Sequence, residues 1–228
     1  MSDAFQIDSA DLLAFREATR EEVRELFSGF RRDYPNETLY VLGLFDFVDW
    51  GCPALFYGAS TLEHWKASPK DSSGSKRKLS DEYFKWAAGE WKFAGNLDST
   101  SIVYDIIAKT GLEEIDDDDV KSDAGQLLRE SIEVEMLLAL HELDVEGVFG
   151  QGDERSALVL TVSDEDEGAA DDWRHEISAC LLNPDDVFRK FLVEFRRGNG
   201  QEPPDTGACV EEIKNTAIAR RFQERLAS

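Results

Sequence analysis

At 228 residues the chain is long enough to bury most of its apolar surface in one domain without disulfide or metal staples, and 42% hydrophobic with 11% aromatic content excludes wholesale disorder. A formal charge of −23 at pH 7 repels nucleic acid and anionic membrane while attracting basic partners, so neither nucleic-acid nor membrane binding is expected. Cys52, Cys180 and Cys209 are odd in number and widely spaced, giving neither a disulfide framework nor a zinc knuckle. They fit a reducing compartment. The N-terminal "MSDAFQIDSADLLAF" lacks a basic-then-apolar leader, and no stretch approaches the ~20 apolar residues of a membrane span, so the expected location is the cytoplasm.

In chain order, "DSADLLAFREATREEVRELFSGFRRDYP" offers Asp8 and Ser9 as caps and apolar residues at Leu12, Phe15, Val23, Leu26, Phe27 and Phe30. It predicts an amphipathic helix that stops before Pro35. Leu39 to Phe47 and "ALFYG" are rich in β-branched and aromatic residues and read as two strands of a hairpin across "DWGCP". A short helix in "STLEHWKAS", capped by Ser60 or Thr61, leads into the polar, basic loop 68–80. Trp86 and Trp91 follow, read as core-rim packing and not as a ligand platform. "LDSTSIVYDIIAKTG" predicts a helix ending at Gly111, and after the aspartate run "DAGQLLRESIEVEMLLALHELDVEG" predicts a long helix ending at Gly147. Leu128, Ile132, Met136, Leu140 and Leu143 form its apolar face, with acids between them. "ALVLTVSD" is of strand length and carries β-branched Val159, Thr161 and Val162. "NPDDVFRKFLVEFRR" predicts a helix with Asn183 as cap and Pro184 at its first position, and a final helix spans about Val210 to Leu226.

The resulting fold class is α+β: a small, mainly antiparallel sheet from the 38–59 region and the 157–163 strand, with a fourth strand expected near Trp91, covered by four to five helices. Residues 1–198 form a single domain, and 199–228 a C-terminal extension with a terminal helix. The long helix packs its Leu/Ile/Met face on the sheet.

The charge is uneven. Residues 1–111 carry 18 acids and 13 bases, residues 112–186 carry 24 and 4, and residues 187–228 carry 6 and 8. The surplus gathers in two runs, one of them Asp116, Asp117, Asp118 and Asp119, the other Asp164, Glu165, Asp166 and Glu167 with Asp171 and Asp172. Trp173 stands beside the second, and an aromatic beside carboxylates is the composition of an interface hot spot.

Chemical signatures are missing. "DDDDVKSDAGQL" and "DEDEGAADDWRH" lack the alternating oxygen ligands, position-six Gly and position-twelve Glu of an EF-hand. His64, His141 and His175 lie far apart without metal-ligand spacing. Cys52 with His64 or His141 offers a nucleophile pairing, but a cysteine beside proline at a strand turn more often packs. No GxSxG, GxxxxGK[ST] or GxGxxG is present. No metal, no cofactor and no enzymatic activity are therefore expected.

"KWAAGEWKFAG" at 85–95, "ALHELDVEGVFG" at 139–150, "LVLTVSDEDE" at 158–167 and "LLNPDDVFRKF" at 181–191 together resemble the bacterial domain of unknown function 4303 family, from about Phe15 to Phe195. The resemblance implies a small stand-alone cytoplasmic domain of the sort encoded beside secreted toxins. Charge and resemblance together give an expected function: an immunity protein that binds and neutralises a basic toxin, of nuclease type, through the acidic runs. The alternatives are an adaptor or chaperone for a secreted basic effector, and an enzyme of unrecognised type. The sequence does not fix the oligomeric state.

Overall fold

A computed structural model describes residues 7–47, 54–68, 80–110, 123–164 and 174–227, the side chains of Phe47, Asp123 and Asp164 excepted. Four strands, β1 (Leu39–Phe47), β2 (Ala54–Thr61), β3 (Phe93–Asn96) and β4 (Val159–Asp164), make one sheet in the order β3-β2-β1-β4. β1 and β2 pair antiparallel with Gly43 opposite Gly58, and β3 pairs antiparallel with β2. β4 lies parallel to β1, with Asp46 opposite Asp164. The mainly antiparallel sheet and the α+β class agree with the sequence reading. The one parallel pair arises because β1 and β4 are joined by a long, largely helical crossover.

The central strand β1 is buried from Tyr40 to Asp46, which explains its continuous apolar run in place of a two-residue alternation. One face of the sheet, with Leu42 and Leu44, is covered by α1 (Ser9–Asp33) and α5 (Asp123–Val145), which pack on each other; α4 (Thr100–Thr110) leans on α1. α1 starts where the Asp8 carboxylate accepts from the Ala10 N–H at 2.8 Å, and it ends with Arg31 and Arg32 at its negative pole. Its buried stripe is Leu12, Phe15, Thr19, Val23 and Phe27.

On the opposite face Trp91 lies flat against two glycines. A Cβ on Gly43 or Gly58 would come within 2.9 or 2.7 Å of the indole, so only glycine lets the ring approach the strands. Trp86 stands edge-on to Phe191 at 4.9 Å and to Tyr40 at 5.7 Å. Both tryptophans pack, as expected. This side is completed by α3 (Asp81–Trp86), α7 (Arg174–Leu182) and α8 (Asp185–Gly198).

The described residues hold ten α-helices where four to five were expected to cover the sheet, because short helices such as α6 (Asp153–Ala157) have no readable period and because the last helix is split; the short helix expected in "STLEHWKAS" is α2 (Leu62–Ala67), capped by Thr61. The Thr216 hydroxyl accepts from the Ala219 N–H at 3.2 Å and caps a new helix. The chain thus forms α9 (Thr206–Lys214) and α10 (Ala217–Leu226). These helices pack on α7 and α5, burying Ile213 and Phe222 in the common core.

Two further expectations need correction. Asn183 does not cap α8; Pro184 occupies that position without a side-chain cap bond. The Asn183 carboxamide turns inward, accepting from the Leu160 N–H at 2.9 Å and donating to the Leu160 and Ala179 carbonyls at 2.8 and 2.9 Å. It joins the end of α7 to β4. Second, what α5 buries is wider than its Leu/Ile/Met face: Glu133 and Glu135 are each 1% exposed. α5 is enclosed on several sides, and α1 and α10 carry arginines to it.

Candidate functional site

The candidate site grows from the carboxyl end of the parallel pair, where ligands of α/β sheets commonly sit. Asp46, on the last turns of β1, has no exposed surface. Arg129 Nε from α5 stands 3.7 Å from its carboxylate and Arg174 Nη1 from the start of α7 stands 4.0 Å away. Glu133, one turn after Arg129, faces Arg174 Nε at 3.9 Å. These pairs bring the end of β1, the first turns of α5 and the first residue of α7 to one place, beside the end of β4.

On the other side of the sheet, Ser163 Oγ and His175 Nε2 are 2.9 Å apart, and the imidazole lies against Phe45 and Phe195. Ser163 is fully buried, and the pair fastens α7 to β4. Beneath lies Arg155, 7% exposed. It donates to Asp144 at 2.6 Å, to the Leu158 and Leu182 carbonyls at 2.7 and 2.9 Å, and to Asn183 at 3.3 Å. The signal for this polar anchor in the sequence was the Asn-Pro pair, which also fits a helix cap.

The predicted interface residues stand as follows. Asp164 is the last residue of β4, opposite Asp46. Asp116, Asp117, Asp118, Asp119, Glu165, Asp166, Glu167, Asp171, Asp172 and Trp173, together with Cys52, lie outside the described residues. By connectivity the first run precedes α5 and the second joins β4 to α7. The helices that follow the two runs, α5 and α7, are those whose Arg129 and Arg174 face Asp46.

Most remaining acids of residues 112–186 are matched within the fold. Arg16, Arg20 and Arg24 of α1 pair with Glu135 and Glu142 of α5 and with Glu146 just after it, Arg31 pairs with Glu154, and Arg221 and Arg225 of α10 reach Glu130 and Glu135. Arg155 pairs with Asp144 and Arg196 with Glu176. Burial pushes the Glu135 carboxyl up, against the pull of Arg225 and Arg16. Glu176 is raised by burial too, despite Arg196. The more open Glu146 is held down by hydrogen bonds from Arg24 and then Arg20.

Among the described residues no group of three or more His, Cys, Asp or Glu is arranged to hold a metal. The histidines have separate surroundings: His64 beside Ser68, His141 edge-on to Phe222, His175 at Ser163. No described helix is long and apolar enough to cross a membrane.

One family's sequence model, described as Domain of unknown function (DUF4303), matches residues 15–184. No curated protein and no solved structure matches the chain.

Proposed function

Since the chain belongs to the DUF4303 family, whose description assigns no activity, we propose from charge and placement that it is a binding protein: an immunity protein that neutralises a basic toxin of nuclease type. Carboxylates of the two runs take the places of substrate phosphates in the toxin's cleft, and steering by their field precedes burial of a few anchors such as Trp173.

One observation carries this reading. Glu130, Glu133, Glu135, Glu142 and Asp144 of α5 are met by arginines within the fold, whereas residues 112–123 and 164–172 hold thirteen acids against one base, Lys121. Each run leads into a helix, α5 or α7, that carries an arginine to Asp46. On this reading the surplus charge, concentrated in two short segments, gives a partner a directed field, which a merely soluble acidic surface does not need.

The test is a pull-down with the tagged full chain at low and high salt, followed by assay of the recovered protein. The reading expects a basic protein whose nuclease or toxic activity disappears on binding, and whose affinity falls when Asp116–Asp119 and Asp164–Glu167 are replaced by their amides. A cargo that stays active when bound would make the chain an adaptor instead.

A further inference from the structure

A cavity of about 460 Å³ lies between the second half of α1 and the face of the sheet formed by β1, β2 and β3. It is remote in the chain from both acidic runs, and its size is within the range of small-molecule sites, about 300–1,000 Å³. Its walls are apolar and aromatic: Leu26 and Phe30 from α1, Leu42 from β1, Tyr57 from β2 and Phe93 from β3. Its polar lining includes four acids, Glu22, Glu25, Asp33 and Asp98, beside Asn96 and the hydroxyl-bearing Tyr34 and Tyr57. No lysine or arginine is among the described residues that line it.

The four acids are not equivalent. Asp33 is paired with Arg32 at 2.9 Å, so its charge is offset. Glu22 is half-buried and accepts from the Ser99 N–H at 2.7 Å and the Ser99 hydroxyl at 3.3 Å, which fixes its carboxylate. Burial raises the Glu22 carboxyl above its ordinary range, and the neighbouring Asp98 charge adds to the rise. A cation between Glu22 and Asp98 would relieve that crowding. Glu25 and Asp98 are exposed at the rim.

The aromatic wall already shows the same recognition. Lys92 places its ammonium 4.5 Å from the Tyr34 ring centre and 4.9 Å from that of Phe93, while its charge is also satisfied by Glu37 at 2.5 Å. Ring faces next to carboxylates favour an ammonium over a neutral or anionic group.

We infer that this groove binds a small organic amine, with its apolar chain or ring against Leu26, Phe30 and Phe93 and its ammonium between Glu22, Glu25 and Asp98. The occupant is a free small molecule and not a protein segment, because the space is a concave pocket of ligand size and its charge is gathered at one rim. Binding here is independent of the acidic runs, so the amide variant of the runs should retain it.

Three ligands of one chain length separate the contributions: n-octylamine, n-octanol and n-octanoate, titrated calorimetrically into the full chain at pH 7.4 below their aggregation limits. Methyl NMR of Leu26 and Leu42, with Leu13 as the distant control, locates the contact. The expected result is saturable octylamine binding, with octanoate weaker by about tenfold or more, and shifts at Leu26 and Leu42. Glu25→Gln with Asp98→Asn should weaken octylamine severalfold and leave octanol unchanged. Octanoate binding as tightly as octylamine would overturn the proposal, as would shifts confined to other methyls, an unaffected double variant, or no binding of octylamine at millimolar concentration.

Discussion

The acids of α5 and the acids of the two runs belong to the same third of the chain, yet they do opposite things. Along α5 and just past its end, Glu130, Glu135, Glu142 and Glu146 each meet an arginine from α1 or α10, and what they contribute is the seating of two helices. The runs have one lysine among thirteen acids, and what they contribute is a field. Net charge alone does not separate these roles. A formal count of −23 overstates the field around the folded body and understates its directionality.

The comparison breaks most severely if α10 is not a fixed part of the fold, since that helix supplies Arg221 and Arg225. Phe222, 1% exposed, anchors it, and Phe222→Ala should lower stability by about 3–5 kcal/mol in urea unfolding. A loss under about 1 kcal/mol would mean that the helix is dispensable to the core.

A second variant removes the match and keeps the acid. Arg16→Met with Arg225→Met leaves Glu135 buried without its cations, at a cost of about 3 kcal/mol at pH 7. The sign of its pH dependence follows from burial. Because the folded-state value is raised above the unfolded one, the penalty is present above the folded value and is relieved as pH falls through it. The variant's deficit should therefore shrink between pH 7 and pH 5. An equal deficit at both would remove Glu135 as its source.

Neutralising the runs should do little to the fold. Asn and Gln at positions 116–119 and 164–167 are expected to change stability by no more than about 0.5 kcal/mol, checked by the same urea titration. A large loss would place these acids with the matched set.

The smallest effect concerns the seam of α7 and α9. Burial, with the neighbouring Cys209 adding to it, pushes the Cys180 thiol up to about 11. At pH 8 its alkylation by iodoacetamide should run roughly a hundredfold slower than that of an exposed cysteine, because the thiolate is the nucleophile. Fast labelling would show that α9 lifts from α7.

Strands β1 and β2 were legible almost to the residue, because enrichment in aromatic and β-branched residues survives without knowledge of partners. α1 and α5 were legible from their spacing. What the sequence hid was set by tertiary choice. Burial of Glu133 and Glu135 was not legible because nothing local tells that Arg174 will reach the first and that Arg16 and Arg225, far off in the chain on either side, will reach the second. Asn183 satisfied a local rule and was taken from it by the Leu160 backbone, which a cap cannot foresee. Thr216 divides the last helix by the same capping chemistry that was recognised at Asp8. The acid runs were conspicuous from the start; the meeting of their flanks at Asp46 depends on β4 lying parallel to β1, which no local pattern specifies.

The most direct test of the central claim is the salt dependence of association with the basic protein recovered by pull-down, measured for the native chain and for the run-neutralised variant. If the runs carry the field, affinity of the native chain falls steeply with added salt and the variant shows a weak affinity that is nearly flat in salt. Equal slopes for the two proteins would contradict the account and move the interface to another face.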